Sequence, residues 1–215
     1  MCIRDRHEDA LLVVNTYDVG SYVRRLRMTD GVELARSPRL FYPAEMAMAG
    51  NLLFVPTEHN ISVLDIHTLE LRNTFGEWAH LYDCAIQNGE LYVADGCEHS
   101  KLFVYSLDGQ HRRDILGDFC RPMSFCIRDD RIYLIECLDY IDDEEDEDDE
   151  DDEEHDEFAG RRLLVLELDG TIHQQIILPN CVAPRTPELT GMLFRGDELL
   201  ITDGQQHALH VLRFV

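Results

Sequence analysis

The sequence predicts an all-β chain folded as a β-propeller, in which small four-stranded antiparallel sheets repeat around a common axis. Two observations carry that expectation. Five short apolar runs share one form: Leu11-Leu12-Val13-Val14, Leu52-Leu53-Phe54-Val55, Leu91-Tyr92-Val93-Ala94, Ile132-Tyr133-Leu134-Ile135 and Leu199-Leu200-Ile201-Thr202. Their starts lie 41, 39, 41 and 67 residues apart, and leaving out an acidic insertion at 138–160 brings the last interval to 44. Turn residues also recur at fixed places around each run. A constant period with constant punctuation marks a repeat architecture.

Each apolar run reads as a strand buried on both faces, because four consecutive apolar residues leave no polar side for water. Ala49-Gly50-Asn51, Asn88-Gly89-Glu90, Asp129-Asp130-Arg131 and Gly196-Asp197-Glu198 precede four of the runs and supply the positive φ angles of tight hairpins. Upstream of those turns a first strand is expected at Glu45–Ala49, Tyr82–Gln87, Met123–Arg128 and Met192–Arg195. Downstream of the runs a third strand is expected at Tyr22–Met28, Ile61–Ile66, Leu102–Leu107, Leu163–Leu168 and Leu209–Phe214. Asp30-Gly31, Asp108-Gly109 and Asp169-Gly170 then turn the chain into a more polar fourth strand at Val32–Arg36, Leu69–Phe75, Gln110–Leu116 and Thr171–Leu178.

Four antiparallel strands in about 40 residues are what a propeller blade requires. On this reading the chain starts at a second strand and ends after a third, so about five blade units are present, three complete and two partial. No apolar stripe at helical spacing persists for a helix. A β-sandwich would not explain the constant period.

Composition narrows the function. The chain has 215 residues, 45% of them hydrophobic, and a formal charge of −24 from 43 acidic against 19 basic residues. Fifteen of the acids form one run, Asp142–Glu157, interrupted only by His155. Lys101 is the only lysine. Nucleic-acid binding needs clustered positive charge, which is missing here. No stretch approaches the roughly 18 uninterrupted apolar residues of a membrane helix. The expected partner is therefore neither nucleic acid nor membrane, and the expected state is a monomer.

Seven cysteines are irregularly spaced and contain no C-x-x-C pair, which points to a reducing, intracellular compartment. Residues 1–9 lack the apolar core of a signal peptide and read as a non-native or disordered segment, with the propeller spanning 10–215. Whether a targeting signal precedes them stays open.

Leu91-Tyr92-Val93-Ala94-Asp95, then Lys101-Leu102-Phe103-Val104-Tyr105, then Asp108-Gly109, resembles the NHL repeat of six-bladed propellers. Asp203-Gly204-Gln205-Gln206-His207-Ala208-Leu209 is similar to the turn of that repeat, with His207 in its histidine position. Asn15, Pro56 and Glu136 stand where Asp95 and Asp203 end the apolar strand. The resemblance implies a ring of six blades, so either a blade is missing upstream or the ring is five-bladed.

In a propeller, the connections between second and third strands and those between successive blades share one rim, at the mouth of a central channel. Asp95, Glu136, Asp203, His59, His99 and His207 would gather there with Trp78, His80, Tyr82 and Arg121. These are the candidate binding residues. Trp78, the only tryptophan, is either an exposed anchor or a plug between two blades. A carboxylate set such as Glu45, Asp83 and Asp203 would suit calcium, and added imidazoles would suit zinc. The bland alternative is that strand-end aspartates simply accept turn N–H groups.

No nucleophile motif occurs, and Cys84, Cys126 and Ser124 fall within apolar first strands, where thiols are inert. The acidic run repels itself and stays solvated at its place between a second and a third strand. Arg161 and Arg162 would neutralise its base. Two functions follow as expectations. The first is a non-enzymatic scaffold binding protein or peptide at the rim without a cofactor, its acidic loop attracting basic partners. The second is a metal-dependent hydrolase or lyase of the six-bladed group.

Overall fold

The computed structural model describes residues 2–7, 9–15, 21–77, 81–95, 101–117, 119, 122–137, 160–182, 191–203 and 208–214. They form five antiparallel sheets, each ordered as the chain runs, and no helix. The first sheet holds β1 (Cys2–His7), β2 (Ala10–Asn15), β3 (Tyr22–Arg27) and β4 (Glu33–Arg36). The second holds β5 (Ala47–Ala49), β6 (Leu52–Pro56), β7 (Ile61–Asp65) and β8 (Leu71–Phe75). The third holds β9 (Leu81–Gln87), β10 (Glu90–Asp95), β11 (Lys101–Ser106) and β12 (His111–Leu116). The fourth holds β13 (Pro122–Arg128), β14 (Arg131–Cys137), β15 (Gly160–Glu167) and β16 (Ile172–Val182). The fifth has three strands, β17 (Met192–Arg195), β18 (Glu198–Asp203) and β19 (Ala208–Arg213).

The first strands of neighbouring sheets lie side by side, β5 with β9, β9 with β13 and β13 with β17. That adjacency is the radial arrangement of a propeller. One expectation is corrected. The chain does not start at a second strand, because Cys2–His7 pairs antiparallel with β2, Ile3 opposite Val13 and His7 opposite Ala10. Four sheets are thus complete and one has three strands. The ladder between β1 and β2 runs through backbone groups, so the strand forms although Arg4, Asp5 and Arg6 interrupt any apolar run.

The second and third strands carry the core because each is sandwiched between two neighbouring sheets. Alternate residues of one strand face opposite neighbours. Leu53 and Val55 pack towards Leu12, Val14 and Val23 of the first sheet. Phe54 and Ile61 pack towards Leu91, Val93 and Phe103 of the third. Tyr92, Leu102 and Ile115 join Phe125, Leu134 and Leu164, and the same cluster continues to Met192, Leu199 and Ile201 of the fifth sheet. Burying each such aliphatic side chain contributes about 1.5–3 kcal/mol. Fourth strands lie outermost, and Leu71 to Thr74 of β8 are exposed.

The recurrent aspartates act as predicted for turn residues. Asp30 Oδ1 accepts the Val32 N–H at 3.1 Å, and Asp169 Oδ1 accepts the Thr171 N–H at 2.9 Å. Asp65 Oδ1 accepts the His67 and Thr68 N–H groups, each at 3.0 Å. Each bond holds the carboxyl below its ordinary range, and Asp65, helped by Thr68, Arg72 and His67 in that order, falls from 3.8 to about 2.

The following glycine has a second role. A Cβ at Gly109 (φ 89°) would lie 2.7 Å from the Phe75 ring of the preceding sheet. One at Gly170 (φ 95°) would lie 2.7 Å from Ile115 and 2.9 Å from the Leu116 carbonyl oxygen. The equivalent Gly31 (φ 71°) has nothing within 4 Å. The turn at Gly31 is therefore not approached as closely as those at Gly109 and Gly170.

One face of the fifth sheet is exposed among the described residues. Leu193, Leu200 and Val211 are cross-strand neighbours on one face. Leu193 is 64% exposed, and Leu209 and Val211 on the same face are also exposed. Among the described residues no core cluster joins the fifth sheet to the first. The five sheets are arranged as the blades of a β-propeller.

Candidate functional site

Around the channel, the pairing registers place Met46, Asp83, Ser124 and Gly191 at equivalent positions on successive sheets. Each immediately precedes the residue paired with the third member of its apolar run. Asp83 is fully buried. Its Oδ2 accepts the Ser124 hydroxyl at 2.8 Å and the Phe125 N–H at 2.9 Å, and its Oδ1 accepts the Cys84 N–H at 2.7 Å. Both carboxylate oxygens are thereby engaged by protein donors, two of them from the neighbouring sheet.

Glu45, just ahead of β5, is 8% exposed. A Cβ at Gly191 would come within 3.5 Å of Glu45 Oε1 and 3.3 Å of Thr202 Oγ1. Glu45 thus reaches from the second sheet to the fifth, into space left by the missing side chain. The Cys84 thiol donates to the Glu45 carbonyl at 3.6 Å and is buried. Gly191 and Thr202 close this end of the fifth sheet, with the Gly191 N–H donating to Thr202 Oγ1 at 2.8 Å.

Of the rim residues, His59, Tyr82, Asp95 and Glu136 lie among those whose side chains are described. Tyr82 is half-buried, while Asp95 and Glu136 are 3% and 0% exposed. Glu136 and Arg162 face each other across β14 and β15, and Arg162 Nε donates to Glu136 Oε1. Arg162 also donates to Gln175 Oε1 at 3.3 Å. The pair joins the end of β14 to the start of β15, so Arg162 neutralises Glu136 at this end of the ladder.

His59 is exposed, 3.6 Å from Glu58. Trp78, His80, His99, Arg121 and His207 lie outside the described residues, as do the side chains of Asp203 and Arg161 and the acidic segment itself. Among the described residues no group of three or more His, Cys, Asp or Glu side chains is arranged to hold a metal ion.

Two rim residues were missed by sequence reasoning. Phe41 and Tyr42, on the connection from β4 to β5, are 59% and 70% exposed. The Glu58 N–H donates to the Phe41 carbonyl at 3.0 Å, which fixes them beside the connection between β6 and β7. The readable signal was an aromatic pair directly before a proline in a segment between two blades.

No protein-family model and no curated protein matches the chain. Solved structures do. The chain is similar to a chain of the hydrazine synthase of Kuenenia stuttgartiensis, at 12% identity and a TM-score of 0.62 over 95% of this chain and 63% of that one. It is similar to a chain of a nidogen/laminin complex, at 12% identity and a TM-score of 0.67 over 96% of this chain and 72% of that one. It is also similar to the computationally designed Ika4 protein, at 11% identity and a TM-score of 0.52 over 86% of this chain and 99% of that one. The chain thus spans 63% of the hydrazine synthase chain it matches. At these identities the likeness establishes architecture, and that architecture is a β-propeller.

Proposed function

We propose that this chain is a non-enzymatic scaffold that binds protein or peptide at its loop rim, with Asp142–Glu157 drawing basic partners. The observation that supports it is the use made of Asp83. The best-placed channel carboxylate is already occupied in joining the third sheet to the fourth, with three protein donors on its two oxygens. A metal-dependent hydrolase or lyase built on Glu45, Asp83 and Asp203 would have to break that joint. A nidogen/laminin complex is a protein–protein assembly, and a propeller within it supports a binding role by analogy of fold alone.

The same reading takes the five sheets as part of a six-bladed, NHL-type ring. Its support is the free space beside the Gly31 turn together with the exposed face of Leu193, Leu209 and Val211, a surface that one more sheet would cover. It places the protein in a reducing compartment, where Cys84 and Cys126 remain free thiols.

Deleting Asp142–Glu157 and titrating the protein against an immobilised basic protein tests the proposal. Binding should fall at least tenfold and lose most of its salt dependence, since steering by net charge is screened by salt. Unchanged affinity overturns the basic-partner reading.

A further inference from the structure

We propose that the outer edge of β16 pairs antiparallel with the same edge of a second copy of this chain, giving a weak dimer rather than the monomer expected from the sequence. The inference goes beyond the rim-binding reading, because it concerns the outside of the blades rather than the loops.

An edge strand presents a row of backbone N–H and C=O groups that a further strand can join, and proteins commonly guard such edges with charge. Three of the four fourth strands are guarded in this way. β4 carries Glu33 and Arg36, β8 carries Arg72, and β12 carries Arg112, Arg113 and Asp114. β16 is not. From Ile172 to Val182 it contains no aspartate, glutamate, lysine or arginine. Among the described residues it pairs with β15 alone.

The edge is also regular and partly apolar. Gln174, Gln175, Ile176 and Ile177 stand opposite Val165, Leu164, Leu163 and Arg162 without a break in register. Ile172, Gln175 and Ile177 face Leu166, Leu164 and Arg162, alternate residues of β15, so they share one face of the sheet. Ile172 and Ile177 are 39% and 53% exposed, and both glutamines are exposed. Pro179, which has no N–H to offer, bounds the run.

The occupant follows from charge. A charged strand finds no counter-charge within β16, whereas the run is compatible with itself. A copy centred on Ile176 sets Gln174 opposite Leu178 and Gln175 opposite Ile177, with no like charges facing each other. Such a contact uses the same patch on both chains and closes at two. Each chain carries a formal charge of −24, so the two bodies repel while their edges pair. Salt screens that repulsion, so the dimer should strengthen as salt rises, the reverse of an association driven by opposite charges.

Sedimentation velocity of the full chain over a concentration series, at low and high salt, tests the proposal. The wild type should show a reversible monomer–dimer equilibrium whose dissociation constant falls as salt rises. Gln174→Lys and Ile177→Lys each place a charge in the paired edge and should raise that constant at least tenfold. Leu71→Lys, which adds the same charge on the outer strand β8, should leave it unchanged. All three positions are exposed, so the variants should keep the wild-type unfolding midpoint, and Gln174→Lys removes no apolar side chain at all. A wild type that stays monomeric at high salt overturns the proposal. So does a dimer that both β16 variants leave intact, or one that Leu71→Lys weakens equally. A labelled peptide with the sequence of Ile172–Leu178 that binds a protein remaining monomeric would assign the edge to a foreign strand and overturn the second copy.

Discussion

The Asp83 carboxylate of β9 accepts the Ser124 hydroxyl of β13 at 2.8 Å, at equivalent positions of consecutive sheets and 41 residues apart in the chain. One repeat unit therefore separates a buried acceptor from its donor, and the bond joins two blades next to the channel. Asp83→Ala strands both the Ser124 hydroxyl and the Phe125 N–H in a dry site. The expected cost is about 2–4 kcal/mol, since each buried group left without its partner costs ~1–3 kcal/mol. Ser124→Ala removes one neutral donor while Asp83 keeps two N–H groups, so about 1 kcal/mol is expected. Equilibrium urea unfolding measures both. Equal costs for the two variants would show that Asp83 does not hold the joint.

Glu136 and Arg162 make a second joint, within the fourth sheet at the root of the acidic segment. Glu136 is fully buried, so Arg162→Ala leaves its carboxylate without that charge partner, at about 3–5 kcal/mol. Replacing both at once, as Glu136→Gln with Arg162→Met, should recover most of the loss, because the desolvation cost of both charges vanishes with the pair. A double-mutant cycle of unfolding free energies reads the difference. Additive losses would mean that the two side chains do not depend on each other.

Much of the architecture was legible because burial on both faces leaves a plain signature. Leu91–Ala94 is apolar without alternation, and it lies inside β10, where Leu91 to Ala94 are all fully buried. The Asp-Gly turns were legible for a local reason, as the aspartate bonds its own turn. Cys2–His7 was missed because Arg4, Asp5 and Arg6 break any apolar pattern, and pairing with β2 runs through the backbone. Asp83 was legible as a channel residue but not as a joint, since its donors come from another repeat. Comparing residue 83 with residue 124 at the 41-residue period would have exposed the pair.

The glycines of the Asp-Gly turns differ in how closely the preceding sheet approaches them. Gly170→Ala meets the Leu116 carbonyl oxygen as well as Ile115, and backbone cannot swing aside. Gly109→Ala meets only the Phe75 ring, and Gly31→Ala meets nothing. All three also force alanine into a positive φ, which costs about 1 kcal/mol or more. Thermal unfolding should therefore rank Gly170→Ala as the most destabilising, at about 2–4 kcal/mol with the clash included, then Gly109→Ala, then Gly31→Ala. A Gly31→Ala loss as large as that of Gly170→Ala would mean that the Gly31 turn is closely packed in solution.

Asp65 links the turns to acid stability. The Thr68 N–H, the Arg72 guanidinium and the His67 N–H hold its carboxyl at about 2 in the folded protein, against 3.8 ordinarily. A carboxyl lowered on folding adds stability that is fully present above its unfolded value and is lost as the pH falls through its folded value. The contribution of Asp65 should therefore hold down to about pH 4 and disappear towards pH 2. Protonating the fifteen-acid run acts the other way, by relieving repulsion, so the wild-type midpoint alone cannot isolate Asp65. The difference between wild type and Asp65→Asn can. Asparagine keeps an oxygen for the two N–H groups and loses only the charge facing Arg72, whose Nη2 lies 3.1 Å from Asp65 Oδ2. The gap in thermal midpoint between the two proteins should be steady from pH 7 to about pH 4 and close below that. A gap that stays constant down to pH 2 would mean that the turn owes nothing to the ionised form of Asp65.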